Sequence, residues 1–131
     1  YGLHPPPPIL PSLAEKNQNT IKGALESIKN ENISNKIVVA DFNNTRFSPF
    51  FKETLKNNGL KDSNEGLGLK SFMHTWPTYS PYIVGINIDN ILFSGNIIVT
   101  DKERGPAMGS DHYPVITTLK FLVNNKAASK E

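Results

Sequence analysis

The chain contains no cysteine and a single tryptophan, and its net charge is only +2. Without cysteine there is no disulfide framework, no zinc–thiolate site and no thiol nucleophile, and the compartment stays unselected. A charge so close to balance does not argue for a nucleic-acid partner, and no basic stripe marks a polynucleotide track. No run approaches the roughly 18 apolar residues of a membrane-spanning helix, and Tyr1 onward lacks the layout of a secretory signal. What remains is 131 residues, 37% hydrophobic and 20% charged, enough for at most one domain with one modest core.

The pattern along the chain predicts an α/β layered arrangement. Tyr1-Gly2-Leu3-His4 reads as the tail of a strand, and the Pro5 to Pro8 run that follows must be extended. Ser12-Leu13-Ala14-Glu15 has the form of a capping box. It opens a helix whose apolar stripe is Leu13, Ile21, Ala24, Leu25 and Ile28. Ile37 to Ala40 predicts a short strand buried on both faces. Ser48 and Pro49 then start a second helix, which Gly59 stops. Lys61 to Lys70 predicts a loop, Ile86 to Phe93 a strand, Ile97 to Thr100 another, and Asp101 to Gly109 a loop. From Val115 to Val123 the odd positions form one face of a last strand, and residues 124–131 read as a frayed tail.

Three acidic stations stand at strand ends: Asp41 with Asn43, Asp89, and Asp111-His112. A polar group at the end of a buried strand is costly unless hydrogen-bonded or bound to a cation. Asp41 and Asn43, two apart, point the same way if the chain stays extended; the plainer reading is a polar turn with capping duties. Asp89, between Ile88 and Ile91, needs a partner, and an imidazolium is one candidate; a satisfied acid at a strand twist is the other reading. His112 beside Asp111 can donate to a phosphate oxygen or act as an acid, although most Asp-His pairs are surface residues. His4 alone reads as a loop residue, and His74 as a site or surface residue. Trp76, with Tyr79 and Tyr82, forms either a stacking rim or loop packing.

Together these segments resemble the endonuclease/exonuclease/phosphatase superfamily, which has the DNase I-like fold. The resemblance runs from about Leu3 to Leu122. It is carried by Val39-Ala40-Asp41-Phe42-Asn43, Gly59-Leu60-Lys61-Asp62, Thr75-Trp76-Pro77, Ile88-Asp89-Asn90-Ile91-Leu92 and Ser110-Asp111-His112-Tyr113-Pro114-Val115. It implies half of a four-layer α/β/β/α sandwich, residues 1–123, with a mixed, mainly antiparallel sheet and helices on one face. By position, it implies that Asp41 orients or deprotonates the attacking water and that Asn43 contacts the scissile phosphate. His112 would stabilise charge on that phosphate, with Asp89 holding its imidazole. Asp111 would sit at or near one or two Mg²⁺ or Mn²⁺ ions, His4 would assist at the leaving group, and Trp76 would touch substrate. Ala40 stands where the family usually has glycine, and Asn90 where it frequently has histidine.

The larger departure is one of extent. The family domain is about twice as long, and its first half carries an asparagine and a metal-binding glutamate. Glu15 is no substitute, because it reads as a helix cap. The resemblance therefore implies the C-terminal catalytic half of a divalent-metal-dependent phosphoesterase, inactive or weakly active alone. Its partners would be a phosphate-ester substrate (nucleic acid, phospholipid or small molecule), the complementary half of the domain, or a second copy of itself. The alternative is a binding or interaction module without chemistry. The proline run after His4 is similar to that of bacterial members attached to membrane segments, which implies a periplasmic or membrane-associated parent beside a cytoplasmic one.

Overall fold

A computed structural model describes residues 1–81 and 84–123; Tyr82 and the 124–131 tail lie outside the described residues. In chain order the elements are β1 (Gly2–Leu3), α1 (Pro11–Asn30), β2 (Lys36–Asp41), α2 (Pro49–Asn58) and β3 (Lys61–Asp62). A 3₁₀ turn (Gly68–Phe72) follows, then β4 (Asp89–Ser94), β5 (Ile97–Arg104) and β6 (Val115–Phe121). The main sheet has the order β1-β2-β4-β3, with β1 parallel to β2 and the other pairs antiparallel. β5 and β6 form a separate antiparallel pair.

Both helices cover one face of the main sheet. Ile21, Leu25 and Ile28 of α1 and Phe51 and Leu55 of α2 pack with Val38 of β2 and Leu92 of β4. Val38 and Leu92 are cross-strand partners and both fully buried. Phe42, one residue past β2, meets Phe51 edge-to-face with ring centroids 5.2 Å apart. The second helix follows its sequence signals: the Ser48 hydroxyl accepts the Phe51 N–H at 3.1 Å. Gly59 ends it at φ 64°, a left-handed conformation that a side chain would disfavour.

Five expectations are corrected. α1 begins at Pro11 with Leu10 as its N-cap and no side-chain cap, so the Ser12 capping box is not used; Pro11 is suited to the first turn, where its missing N–H has no helical partner. β2 is not buried on both faces, because Val39 is 45% exposed. The stretch 61–70 is not all loop, since Lys61–Asp62 pairs with β4. The strand expected from Ile86 starts at Asp89, and Ile86 instead forms an isolated bridge with Trp76. β5 runs on to Arg104 through the segment expected to be a loop.

That extension has a physical cause. Lys102, 2% exposed, donates to Ser63 Oγ at 3.1 Å and Asn64 Oδ1 at 2.8 Å, anchoring β5 to the loop after β3. Asn64 in turn donates to Asp62 Oδ1 and Asn90 Oδ1, both at 2.7 Å, and Arg46 Nε lies 3.3 Å from Asp62 Oδ2. Burial pushes the Lys102 ammonium down to about 8, against the opposing pull of Asp62. A buried polar network of this kind ties the second strand pair to the main sheet through the loop after β3.

Candidate active site

Asp41 is the last residue of β2 and Asp89 the first of β4, and the two are direct cross-strand partners. Like charges placed so destabilise a sheet. The relief comes from the loop preceding β6: His112 Nδ1 lies 2.9 Å from Asp89 Oδ2, and its Nε2 lies 3.9 Å from Asp41 Oδ2. His4, just past β1, brings its Nε2 to 3.5 Å from the same Asp41 oxygen. The parallel β1–β2 pairing, Leu3 beside Ala40, sets that approach.

Asn43 reaches the site by a different route from the one its spacing suggests. It is not extended but left-handed, at φ 48°, a conformation Asn tolerates better than most residues. Its N–H donates to Asp41 Oδ1 at 2.8 Å, and its Nδ2 to Asp41 Oδ2 at 3.3 Å and to the Pro5 carbonyl at 3.1 Å. The polar turn and the convergent site are thus one and the same feature.

The electrostatics follow from this crowding. Burial raises the Asp41 carboxyl above its usual range, and the Asp89 charge adds to that; the Asn43 N–H and the two histidines pull the other way. Burial alone would lower the His112 imidazole. The hydrogen bond and charge of Asp89, with the charges of Asp41 and Asp111, outweigh it and raise the value above 6.5.

Asp111 and Trp76 belong to the same cleft. The Trp76 indole N–H donates to Asp111 Oδ2 at 3.2 Å. His4, Asp41, Asn43, Trp76, Asp111 and His112 all line one cleft of about 550 Å³, while Asp89 stands behind His112 and faces a neighbouring groove. The Ser110 hydroxyl accepts the His112 N–H at 3.0 Å, which fixes the loop backbone. His74 is neither a surface residue nor part of the cleft. It is 3% exposed, its ring meets Tyr113 edge-to-face with centroids 5.5 Å apart, and the Arg104 guanidinium lies against both rings. A Cβ on Gly85 would come within 2.1 Å of its ring, so the close approach requires glycine.

Two supporting residues carry no signal in the pattern of apolar and acidic positions. Thr75 is 1% exposed, and its hydroxyl accepts the N–H groups of Ile88 at 3.1 Å and Asp89 at 3.2 Å. Its carbonyl accepts the Tyr113 N–H at 2.8 Å, so one residue braces the backbones bearing both Asp89 and His112. Asn17 is fully buried in α1, and its amide donates to the Pro6 and Phe42 carbonyls, both at 2.9 Å. Only the burial of a polar residue among Leu13, Ile21 and Leu25 could have drawn notice to it.

Asp41, Asp89 and His112 offer donor atoms within 4.8 Å of one another, a group that could hold a metal ion. The donor set fits a divalent cation. Two carboxylates supply the oxygens that hard cations prefer, and Asp41 and Asp89 stand as direct cross-strand partners whose like charges a cation would offset.

This arrangement, a mixed sheet flanked by two helices with the acidic cluster at its strand ends, is a DNase I-like α/β fold. Among solved structures, the chain is similar to an endonuclease/exonuclease/phosphatase from Bacteroides vulgatus. That match has 21% identity and a TM-score of 0.64, and covers 82% of this chain and 45% of that one. It is also similar to a mannosyl-6-phosphatase from Bacteroides thetaiotaomicron (20% identity, TM-score 0.60, covering 92% of this chain and 50% of that one). An endonuclease/exonuclease/phosphatase family protein from the same species gives 20% identity and a TM-score of 0.59, over 90% and 48% of the two chains. The chain therefore spans about half the length of the structures it matches, consistent with the C-terminal half of the domain. No family model matches it, and no curated protein matches it.

Proposed function

We propose that this chain supplies the C-terminal half-site of a divalent-metal-dependent phosphoesterase. The observation that supports it is the clamped imidazole: His112 held by Asp89 at 2.9 Å while its other nitrogen faces Asp41. In hydrolysis, water forms a bond to phosphorus as the ester P–O bond breaks, and the protein's contribution is positioning and charge neutralisation. Asp41 takes the proton from that water. Its raised value makes it a stronger base than an ordinary Asp carboxylate. With Nδ1–H directed at Asp89, His112 presents Nε2–H to a phosphate oxygen and stabilises the charge developing there. His4, exposed at the cleft mouth, returns a proton to the leaving oxygen. Asn43 would contact the phosphate by giving up its longer bond, the 3.3 Å one to Asp41.

Asp41 and Asp89 are the oxygen donors that stand together for Mg²⁺ or Mn²⁺, and Asp111 lines the same cleft as Asp41 but lies outside that group. Such an ion would neutralise phosphate charge and lower the pKa of bound water. The resemblance puts the principal metal-binding glutamate in the other half of the domain, so these residues by themselves should bind metal weakly and turn over substrate slowly or not at all.

The test is metal-dependent hydrolysis of 4-nitrophenyl phosphate and bis(4-nitrophenyl) phosphate, by this chain and by a longer protein that includes it. Turnover by the longer protein, lost in Asp41→Ala and His112→Ala, is the expected result. Substantial turnover by these residues alone, abolished by Asp41→Ala, would overturn the half-site reading. A longer protein inactive on both esters with either metal would favour a non-catalytic module.

A further inference from the structure

The cleft that holds the polar cluster has a second wall of opposite character. Pro7, Pro8, Ile9, Trp76, Ile86 and Ile88 line it, and no lysine or arginine is among its described lining residues. Ile9 is 75% and Ile86 43% exposed, so these two face solvent and are not spent on the core, while Ile88 is buried. A polynucleotide presents further phosphates on either side of the scissile one, and a site that binds them places cations there. A sugar phosphate presents hydroxyls that need polar partners. This wall offers neither.

We propose that the cleft takes a phosphate ester whose organic group is apolar, with the phosphate at Asp41, Asn43 and His112 and the organic group against Ile9, Trp76 and Ile86. This rests on the phosphoesterase reading above and specifies its substrate class. The polar cluster and the apolar wall share one continuous cleft of about 550 Å³, a size and mixture typical of small-molecule sites. Each methylene buried against such a wall is worth roughly fourfold in affinity. The organic group therefore contributes binding that the small number of phosphate contacts cannot.

The chain carries its own reporter, because Trp76, the sole tryptophan, stands on this wall. Its fluorescence is followed during titration with octyl phosphate, ethyl phosphate, inorganic phosphate and 1-octanol in the presence of Mg²⁺. Octyl phosphate should bind at least about tenfold more tightly than ethyl phosphate or 1-octanol, and Ile9→Asn, an exposed change that leaves the core intact, should shrink that margin. A parallel arm with phosphatidylcholine vesicles, with and without phosphatidic acid, separates a membrane source of the ester from a soluble one.

Equal affinity for ethyl and octyl phosphate would overturn the substrate class and leave the phosphoesterase reading standing. Equal affinity for octyl phosphate and 1-octanol, with no competition by inorganic phosphate, would overturn both. The wall would then be a seat for another polypeptide surface.

Discussion

The two faces of the main sheet are built from the same kinds of residue and end in opposite states. On the helix side Val38 and Leu92 are fully buried partners; one register step away, Val39 and Ile91 face the other way, and Val39 is 45% exposed. A one-residue step in a strand exchanges the faces, so both sides of β2 read as apolar while only one is covered. The open face continues into the groove of about 590 Å³ shared by Leu3, Val39, Ile91 and Val115, and it ends at the paired Asp41 and Asp89. Stability is concentrated on one side of the sheet, and the candidate chemistry lies along the edge of the other.

The sharpest way to test that division is a pair of truncations. Phe42→Ala, in the covered core, should cost about 3–5 kcal/mol of folding free energy, whereas Val39→Ala should cost well under about 1 kcal/mol, both from urea denaturation midpoints. Similar losses at the two positions would mean that the open face is buried in solution, for instance by self-association, which sedimentation would reveal.

Next in size is the brace behind the acids. Thr75→Val keeps the shape but leaves the buried Ile88 N–H and the part-buried Asp89 N–H without their acceptor, a loss of about 1–3 kcal/mol; Thr75→Ser should restore most of it. The low-field Nδ1 proton signal of His112 should weaken in the valine variant and return in the serine one.

The smallest effect has the opposite sign. Asp41→Asn removes one of two opposed carboxylates, so it should stabilise the fold by a few tenths to about 1 kcal/mol while abolishing the proposed chemistry. The pH dependence carries the same signature. The raised His112 value means that its contribution is fully present below the ordinary 6.5 and is lost as pH climbs through the higher folded value. The raised Asp41 carboxyl acts in the same sense in acid, unlike an Asp in a favourable ion pair. Stability that instead rises across the His112 titration would contradict this account of the cluster.

Much of this was legible in the residues. Ser48 and Gly59 bound α2 as their side-chain and backbone chemistry dictates, and the three acidic stations converge as costly polar strand ends should. What was not legible depends on partners distant in sequence. The capping box at Ser12 is locally sound, yet Pro11 starts the helix earlier and leaves Ser12 inside its first turn. Asp101 to Arg104 looks like a charged loop until Lys102 finds Ser63 and Asn64, 39 and 38 positions away. Thr75 is an ordinary hydroxyl until β4 arrives to donate to it.

Asn17 gives the helix layer a mechanical part in the site. Its single amide grips the carbonyl of Pro6, on the segment carrying His4, and that of Phe42, between Asp41 and Asn43. The two sides of the cleft are thereby pinned to one turn of α1, like two leaves on a common hinge pin. Anything that shifts or tilts that helix would pull on both leaves together, whereas loss of the one amide would leave them joined only by the β1–β2 pairing and the Asn43–Pro5 bond.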